Sequence, residues 1–225
     1  MFDRKLSIQI YHRVLEKEDE LRPGEVTIRQ FDRQVGMLKK FYNILSLEDA
    51  ARMLESGCLP ARALSLTFDD GYKDNYENAL PILRNHGVSA TFFIATGFID
   101  GGIMWNDVVI ECVRNTKLDR ISLKDHGLDE YDLSGNRLVI VQNILGKLKY
   151  FDYERRAEIV DVLPDLFRVQ CPKDLMMNTG DIKKLHEHGM SIGGHTVTHP
   201  ILAKLDRKTA GHEIGAGKEV LQEII

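Results

Sequence analysis

The sequence predicts an α/β fold of parallel strand–helix–strand units, like an α/β barrel whose catalytic edge lies at the C-terminal ends of its strands. Three observations predict it. Short apolar runs alternate with segments of helical spacing over the first half of the chain. One strand-like run, Ala63 to Phe68, ends directly on Asp69-Asp70-Gly71. Another, Met190 to Gly194, ends directly on His195-Thr196-Val197-Thr198-His199-Pro200. Both chemistry-bearing stretches therefore open from a strand end.

Leu6 to Tyr11 alternates apolar and polar residues, as a first strand does. The charged stretch 13–27, with Pro23-Gly24, reads as a surface loop. Phe31, Val35, Leu38 and Phe41 fall at helical spacing, and Asn43 to Leu45 reads as a short strand. Ser46 has the chemistry of an N-cap, with Asp49 at the capping-box distance, for a helix that ends before Gly57. After the acidic motif the spacing predicts a helix over 76–86, stopped by Gly87, and a strand over 90–95. Residues 100–173 break the rhythm. Helices are predicted over 105–113, 139–148 and 153–169, with a hairpin turning at Ser134-Gly135-Asn136. This stretch reads as a mainly helical insertion within a single domain spanning 1–225. Thr179 reads as the cap of a helix over 181–188, and a last helix is predicted over 209–225.

Composition narrows the class. With 43% hydrophobic and 28% charged residues the chain is ordinary globular material. A formal charge of −4 gives no electrostatic case for nucleic acid or an anionic membrane. No run approaches the roughly 20 apolar residues of a membrane span. The start, Met1 to Tyr11, lacks the apolar core of a secretory signal, so a cytoplasmic location is expected. Cys58, Cys112 and Cys171 are odd in number and widely spaced, as expected of buried reduced thiols.

Two adjacent aspartates repel, and burying them without a cation is costly. Asp-Asp-Gly is also good turn chemistry, and histidines four apart occur on surfaces and at caps. Taken together, the two motifs complete each other. One carboxylate and two imidazoles make three ligands for a divalent metal with positions left open, and the second carboxylate is free to take a proton from water. This is the pattern of a metal-dependent hydrolase.

Thr67-Phe68-Asp69-Asp70-Gly71 and the His195–His199 motif, with Tyr11-His12-Arg13-Val14 and Ala90-Thr91-Phe92-Phe93-Ile94-Ala95-Thr96-Gly97, resemble the polysaccharide deacetylase family. That family is also called the NodB-homology domain or carbohydrate esterase family 4. The resemblance implies a distorted (β/α)7 barrel and removal of N-acetyl groups from amino-sugar polymers or their precursors. It implies one divalent metal, zinc foremost, with cobalt, nickel or manganese also suited. Asp69 is then the catalytic base, and Asp70, His195 and His199 are the ligands, with Thr198 supporting them. His12, Arg13, Tyr72, Trp105, Asn106 and Asp107 are candidates for substrate contact or ligand support. His12 also reads as a structural histidine and Trp105 as a core staple. The remaining histidines, His86 among them, read as solvated. The expected partner is an acetylated amino sugar or polysaccharide, with no nucleic acid.

The family's later motifs, an arginine–proline segment, a tryptophan segment and a leucine-x-histidine supplying the general acid, are not found after His199. The chain is therefore expected to be the N-terminal two-thirds of the barrel, truncated after the histidine motif, weak as an enzyme, and associating as a homo-oligomer across its open edge. One alternative is a non-catalytic carbohydrate-binding or assembly protein that keeps the metal site. A metal-dependent phosphoesterase is the other, but no basic or glycine-rich phosphate cradle supports it.

Overall fold

A computed structural model describes residues 5–225; the first four residues, part of the stretch read for a leader, lie outside the described residues. Strand β1 (Leu6–Tyr11) leads into a loop carrying the two-residue strands β2 (Val14–Leu15) and β3 (Val26–Thr27). Helix α1 (Ile28–Phe41), strand β4 (Asn43–Ile44), helix α2 (Leu47–Glu55) and strand β5 (Ala63–Phe68) follow. A π-helical turn, Asn75–Ala79, runs into α3 (Leu80–His86), and β6 (Thr91–Ile94) comes next. Then come α4 (Trp105–Asn115), the antiparallel pair β7 (Arg120–Ser122) and β8 (Glu130–Asp132), α5 (Arg137–Leu148) and α6 (Tyr153–Phe167). Helix α7 (Thr179–Glu187), β9 (Ser191–Gly194) and α8 (Arg207–Ile224) are the last elements.

The architecture is mixed α/β, as the alternation of elements predicts. Its main sheet has five strands, all paired in parallel, in the order β1-β5-β6-β9, with β4 beside the start of β5. Tyr11 lies opposite Phe68, Phe68 opposite Phe92, and Ile94 opposite Gly194. Every residue of β5 is buried, Ser65 and Thr67 included, as in a parallel strand covered on both faces. The main core gathers β1, β5, β6, α1, α3, α7 and α8 around Phe31, Phe68, Leu83, Phe92, Ile182 and Leu221. A second buried cluster is built by α4, β7, β8, α5 and α6, including Val109, Leu123, Ile144, Ile159 and Phe167. Among the described residues no helix is long and apolar enough to cross a membrane.

Several local expectations are corrected. Stretch 13–27 is not a free surface loop: Arg22 is buried, and its Nη2 lies 2.6 Å from Asp107 Oδ1 on α4. The hairpin does not turn at Ser134-Gly135-Asn136. Its strands are joined through the 3₁₀ turn Lys124–His126, and Asn136 instead caps α5, accepting from Val139 N. Helix α7 is capped by Asn178 rather than Thr179, in a reciprocal box with Asp181. The helix expected over 76–86 opens as a π-turn because Asn75 and Asn78 side chains donate to the carbonyls of His12 and Val14, fixing that turn against the loop after β1. Cys58 is exposed, not buried. His86 is not simply solvated, since its Nε2 lies 2.7 Å from Asp32 Oδ1.

Phe68, the last residue before the acidic motif, is fully buried in an aromatic stack. Its ring stacks on Phe92 at 4.7 Å and on Tyr11 at 5.4 Å, with Phe31 edge-on at 5.6 Å. Replacing it by alanine leaves a cavity in the sheet's centre, so Phe68→Ala is expected to lower unfolding stability by about 3–5 kcal/mol in urea denaturation. A loss below about 1 kcal/mol would show that the stack does not anchor β5.

Candidate metal centre

Strands β1 and β5 end together, β6 and β9 end together two residues further on, and the chain leaving each keeps hydrogen bonding to its neighbour. Asp69 N donates to Tyr11 O at 2.9 Å, Ala95 N to Asp70 O at 3.1 Å, and His195 N to Ile94 O at 2.8 Å. Beyond the strands, Thr96 N and Gly97 N donate to Thr196 O and Val197 O at 3.2 and 2.8 Å. A Cβ on Gly97 would sit 2.7 Å from Val197 O, so only glycine lets these two loops pair. Asp70 (φ 78°), Thr196 (φ 66°) and His199 (φ 52°) are left-handed, three of the six non-glycine residues with positive φ among the described residues. Strained backbone held in place by its surroundings concentrates at functional sites.

These turns bring the predicted ligand set together. Asp70 Oδ1 lies 3.5 Å from His195 Nε2 and 3.4 Å from His199 Nε2, and one ligand atom from each residue falls within 4.8 Å of the others. The Asp70 carboxylate is buried, and its Oδ1 has no hydrogen-bond partner among the described residues; neither has His199 Nδ1. Burial pushes the Asp70 carboxyl up to about 6, opposed by the charges of His12 and His195 and reinforced by those of Asp69 and Asp107. Burial also holds both imidazoles below their usual range; His199 adds to this at His195, and His12 and Arg156 add to it at His199. An orphaned carboxylate oxygen facing two imidazoles that favour the neutral form fits a divalent cation, which supplies the missing positive charge and uses neutral imidazole as ligand. Among the described residues the Asp69 carboxylate makes no hydrogen bond or ion pair, so it is not committed elsewhere.

Thr198 donates its hydroxyl to Glu213 Oε1 at 2.8 Å, and Val197 N and Thr198 N donate to Glu213 Oε2 at 2.9 and 2.8 Å. Glu213 on α8 thus clamps the histidine loop. Sequence reasoning missed it, because one acidic residue in an amphipathic helix carries no local signal. Gly217 on the same helix helps it approach: a Cβ there would lie 3.1 Å from Thr196 O.

The other candidates are placed as follows. His12 is exposed at the end of β1, near enough for its charge to act on Asp70 and both imidazoles. Arg13 pairs with Asp74 at 2.7 Å and lies 4.6 Å over the Tyr72 ring. Tyr72 is buried, and its hydroxyl donates to Asp107 Oδ2 at 2.9 Å; Asp107 is itself fully buried and paired with Arg22. Asn106 is half-buried, with its Oδ1 lacking a partner among the described residues. Trp105 packs against the second core cluster, with the Arg156 guanidinium 4.8 Å from its ring.

Because Glu213 touches no ligand atom but holds the loop that carries two of them, Glu213→Ala is expected to weaken binding of Zn2+ by about 10–100-fold in calorimetric titration, as loss of ligand-supporting partners does. Unchanged affinity would show that the loop is ordered without it.

The sequence model of the polysaccharide deacetylase family matches residues 56–150 and 169–225. YxkH of Bacillus subtilis, named as a polysaccharide deacetylase, is 30% identical over 133 residues, which is 58% of this chain and 45% of that protein. The poly-beta-1,6-N-acetyl-D-glucosamine N-deacetylase of Staphylococcus epidermidis is 30% identical over 102 residues, 40% of this chain and 35% of that protein. The chain spans less than half the length of these curated relatives. Among solved structures, the Streptococcus pyogenes deacetylase PplD in complex with acetate has a TM-score of 0.59 at 21% identity, covering 97% of this chain and 68% of that one. IcaB from Ammonifex degensii has a TM-score of 0.54 at 16% identity, covering 97% and 69%. The structural likenesses show the fold, and the sequence match, which takes in both the acidic and the histidine motif, shows the lineage: this chain belongs to the polysaccharide deacetylase family.

Proposed function

We propose that this chain is a metal-dependent deacetylase that hydrolyses N-acetyl groups of amino-sugar polymers or of their precursors. The observation that carries the reading is the meeting of Asp70, His195 and His199 within 4.8 Å, beside an uncommitted Asp69 at the same strand end. The staphylococcal relatives' name, poly-beta-1,6-N-acetyl-D-glucosamine N-deacetylase, supports this substrate class. Asp70, His195 and His199 would hold the ion, zinc first, with cobalt, nickel and manganese suited to the same donors. When bound, such an ion polarises the acetyl carbonyl as a Lewis acid and makes water acidic near neutral pH.

The remaining work falls to the protein. Asp69 takes the proton from the attacking water as general base. A backbone N–H following the acidic motif donates to the oxygen on which charge develops. Glu213 keeps the histidine loop in register through Val197 and Thr198. His12, exposed at the rim, meets the sugar. Metal analysis and acetate release from a soluble chito-oligosaccharide test these roles together. His199→Ala is expected to lose most of the metal. Asp69→Asn is expected to keep it while acetate release falls by ~10²–10⁴-fold. Loss of the metal in Asp69→Asn would reverse the roles of the two aspartates. Full metal content in a wild-type chain that releases no acetate would favour the non-catalytic carbohydrate-binding alternative.

A second copy of the chain is the proposed partner along β1. Ile8 and Ile10 are about half exposed, and among the described residues β1 pairs on one edge only. An apolar strand with a free edge is a template for association. Sedimentation velocity is expected to show a dimer that Ile10→Lys converts to monomer; a monomeric wild-type chain would remove this partner.

A further inference from the structure

A pocket of about 310 Å³ adjoins the histidine loop, lined by Phe98, Ile103, Trp105, Tyr153, Arg156 and Thr198. Thr198 sets its wall one residue from the candidate ligand His199. A second recess, of about 550 Å³, shares Tyr153 and Arg156 and reaches Pro200 and Ile201 just beyond that ligand. Arg156 thus stands where two recesses meet along the loop.

The surroundings of Arg156 set it apart from the other arginines near the site. It is 4% exposed, yet among the described residues its guanidinium makes no hydrogen bond and no ion pair. Arg13 and Arg22 both have carboxylate partners within 2.7 Å. Arg156 has only aromatic faces, Trp105 at 4.8 Å and Tyr153 at 5.9 Å. Stacking offsets part of the cost of burying a cation, but it uses the plane of the guanidinium and leaves the edge of the N–H fork to the recess, without a protein acceptor among the described residues. Nearby carboxylates do not answer it. Asp161 lines the pocket without pairing with Arg156. Asp152 and Asp206, in the second recess, cap α6 and α8. Burial holds the Arg156 pKa below its usual range, and its charge is felt at His199. Residues 151–168, which carry Tyr153 and Arg156, fall outside the stretches that match the family.

We propose that this pocket is a subsite for an acidic group on the amino sugar, a carboxylate or phosphate oxyanion held by the free edge of Arg156 while the ring packs on the aromatic walls. The inference rests on the deacetylase reading and deepens it: an acidic substituent anchored one residue from His199 would select which sugar is presented to the metal centre. A planar guanidinium fork suits either oxyanion, and a neutral sugar would leave the cation without a charged partner.

Trp105 is the chain's only tryptophan, so its fluorescence reports on this pocket directly. The purified 225-residue chain would be titrated with N-acetylmuramic acid, N-acetylglucosamine 1-phosphate and neutral N-acetylglucosamine. At least one acidic sugar is expected to give a saturable change at concentrations about tenfold or more below the neutral sugar, the advantage of a charge-assisted pair. The two acidic arms separate carboxylate from phosphate. Arg156→Gln is expected to abolish the preference, and Arg156→Lys to keep part of it. Should Arg156→Gln fail to fold, the lysine variant and screening of the preference by added salt decide the matter. Equal response to all three sugars, or a preference untouched in both variants or by salt, overturns the proposal. Acid preference without acetate release would sink the deacetylase reading and leave the subsite. Acetate release without acid preference would do the reverse.

Discussion

Because Phe68 lies opposite Phe92 and Ile94 opposite Gly194, β5 stops two residues short of β6 and β9, and Asp69-Asp70 carry its line on so that residues far apart in sequence leave the sheet at one edge. That register places Asp69 and Asp70 beside His195. A slip of one residue would turn β5's side chains to the opposite face and part the carboxylates from the imidazoles. The aromatic stack through Tyr11, Phe68 and Phe92 locks the register from inside the sheet, and the loop after β6 extends it beyond the strands. The site is thus an outgrowth of the sheet's pairing rather than a separate loop structure.

The strain and the electrostatics of the site point the same way. Asp70 carries a buried oxygen without a partner, a left-handed backbone and a raised pKa, and each of these is unfavourable alone. Together they leave a buried carboxylate oxygen without a partner, facing two imidazoles. Preorganisation of this kind is set during folding rather than at the moment of reaction.

Much of this was legible in the sequence, and the reason is local. Phe68-Asp69-Asp70-Gly71 and His195 to His199 state their chemistry within a few consecutive residues, and the helices announce themselves by spacing and caps. What was not legible is what the chain joins across distance. Glu213 and Gly217 matter because α8 lies on the histidine loop, and no pattern within α8 reveals that. Asn178 and Thr179 are both capable caps, and only the geometry chose between them. The charged stretch 13–27 looked solvated because the partners that bury Arg22 and Arg13, Asp107 and Asp74, are encoded much later.

Arg22 and Asp107 have a further consequence for how the molecule holds together. The two main hydrophobic clusters share no buried residue, so apolar contact alone would let each loosen by itself. A charge pair at 2.6 Å, with Tyr72 also donating to Asp107, bolts α4 of the second cluster to the loop after β1 and to the segment after the acidic motif. Opening one side of a pair this deeply buried strands a charge and costs about 3–5 kcal/mol. The halves are therefore tied into one cooperative unit by electrostatics. Arg22 and Asp107 are separated by 85 positions, so this bolt also closes a long loop of chain, whose entropic cost its energy must offset.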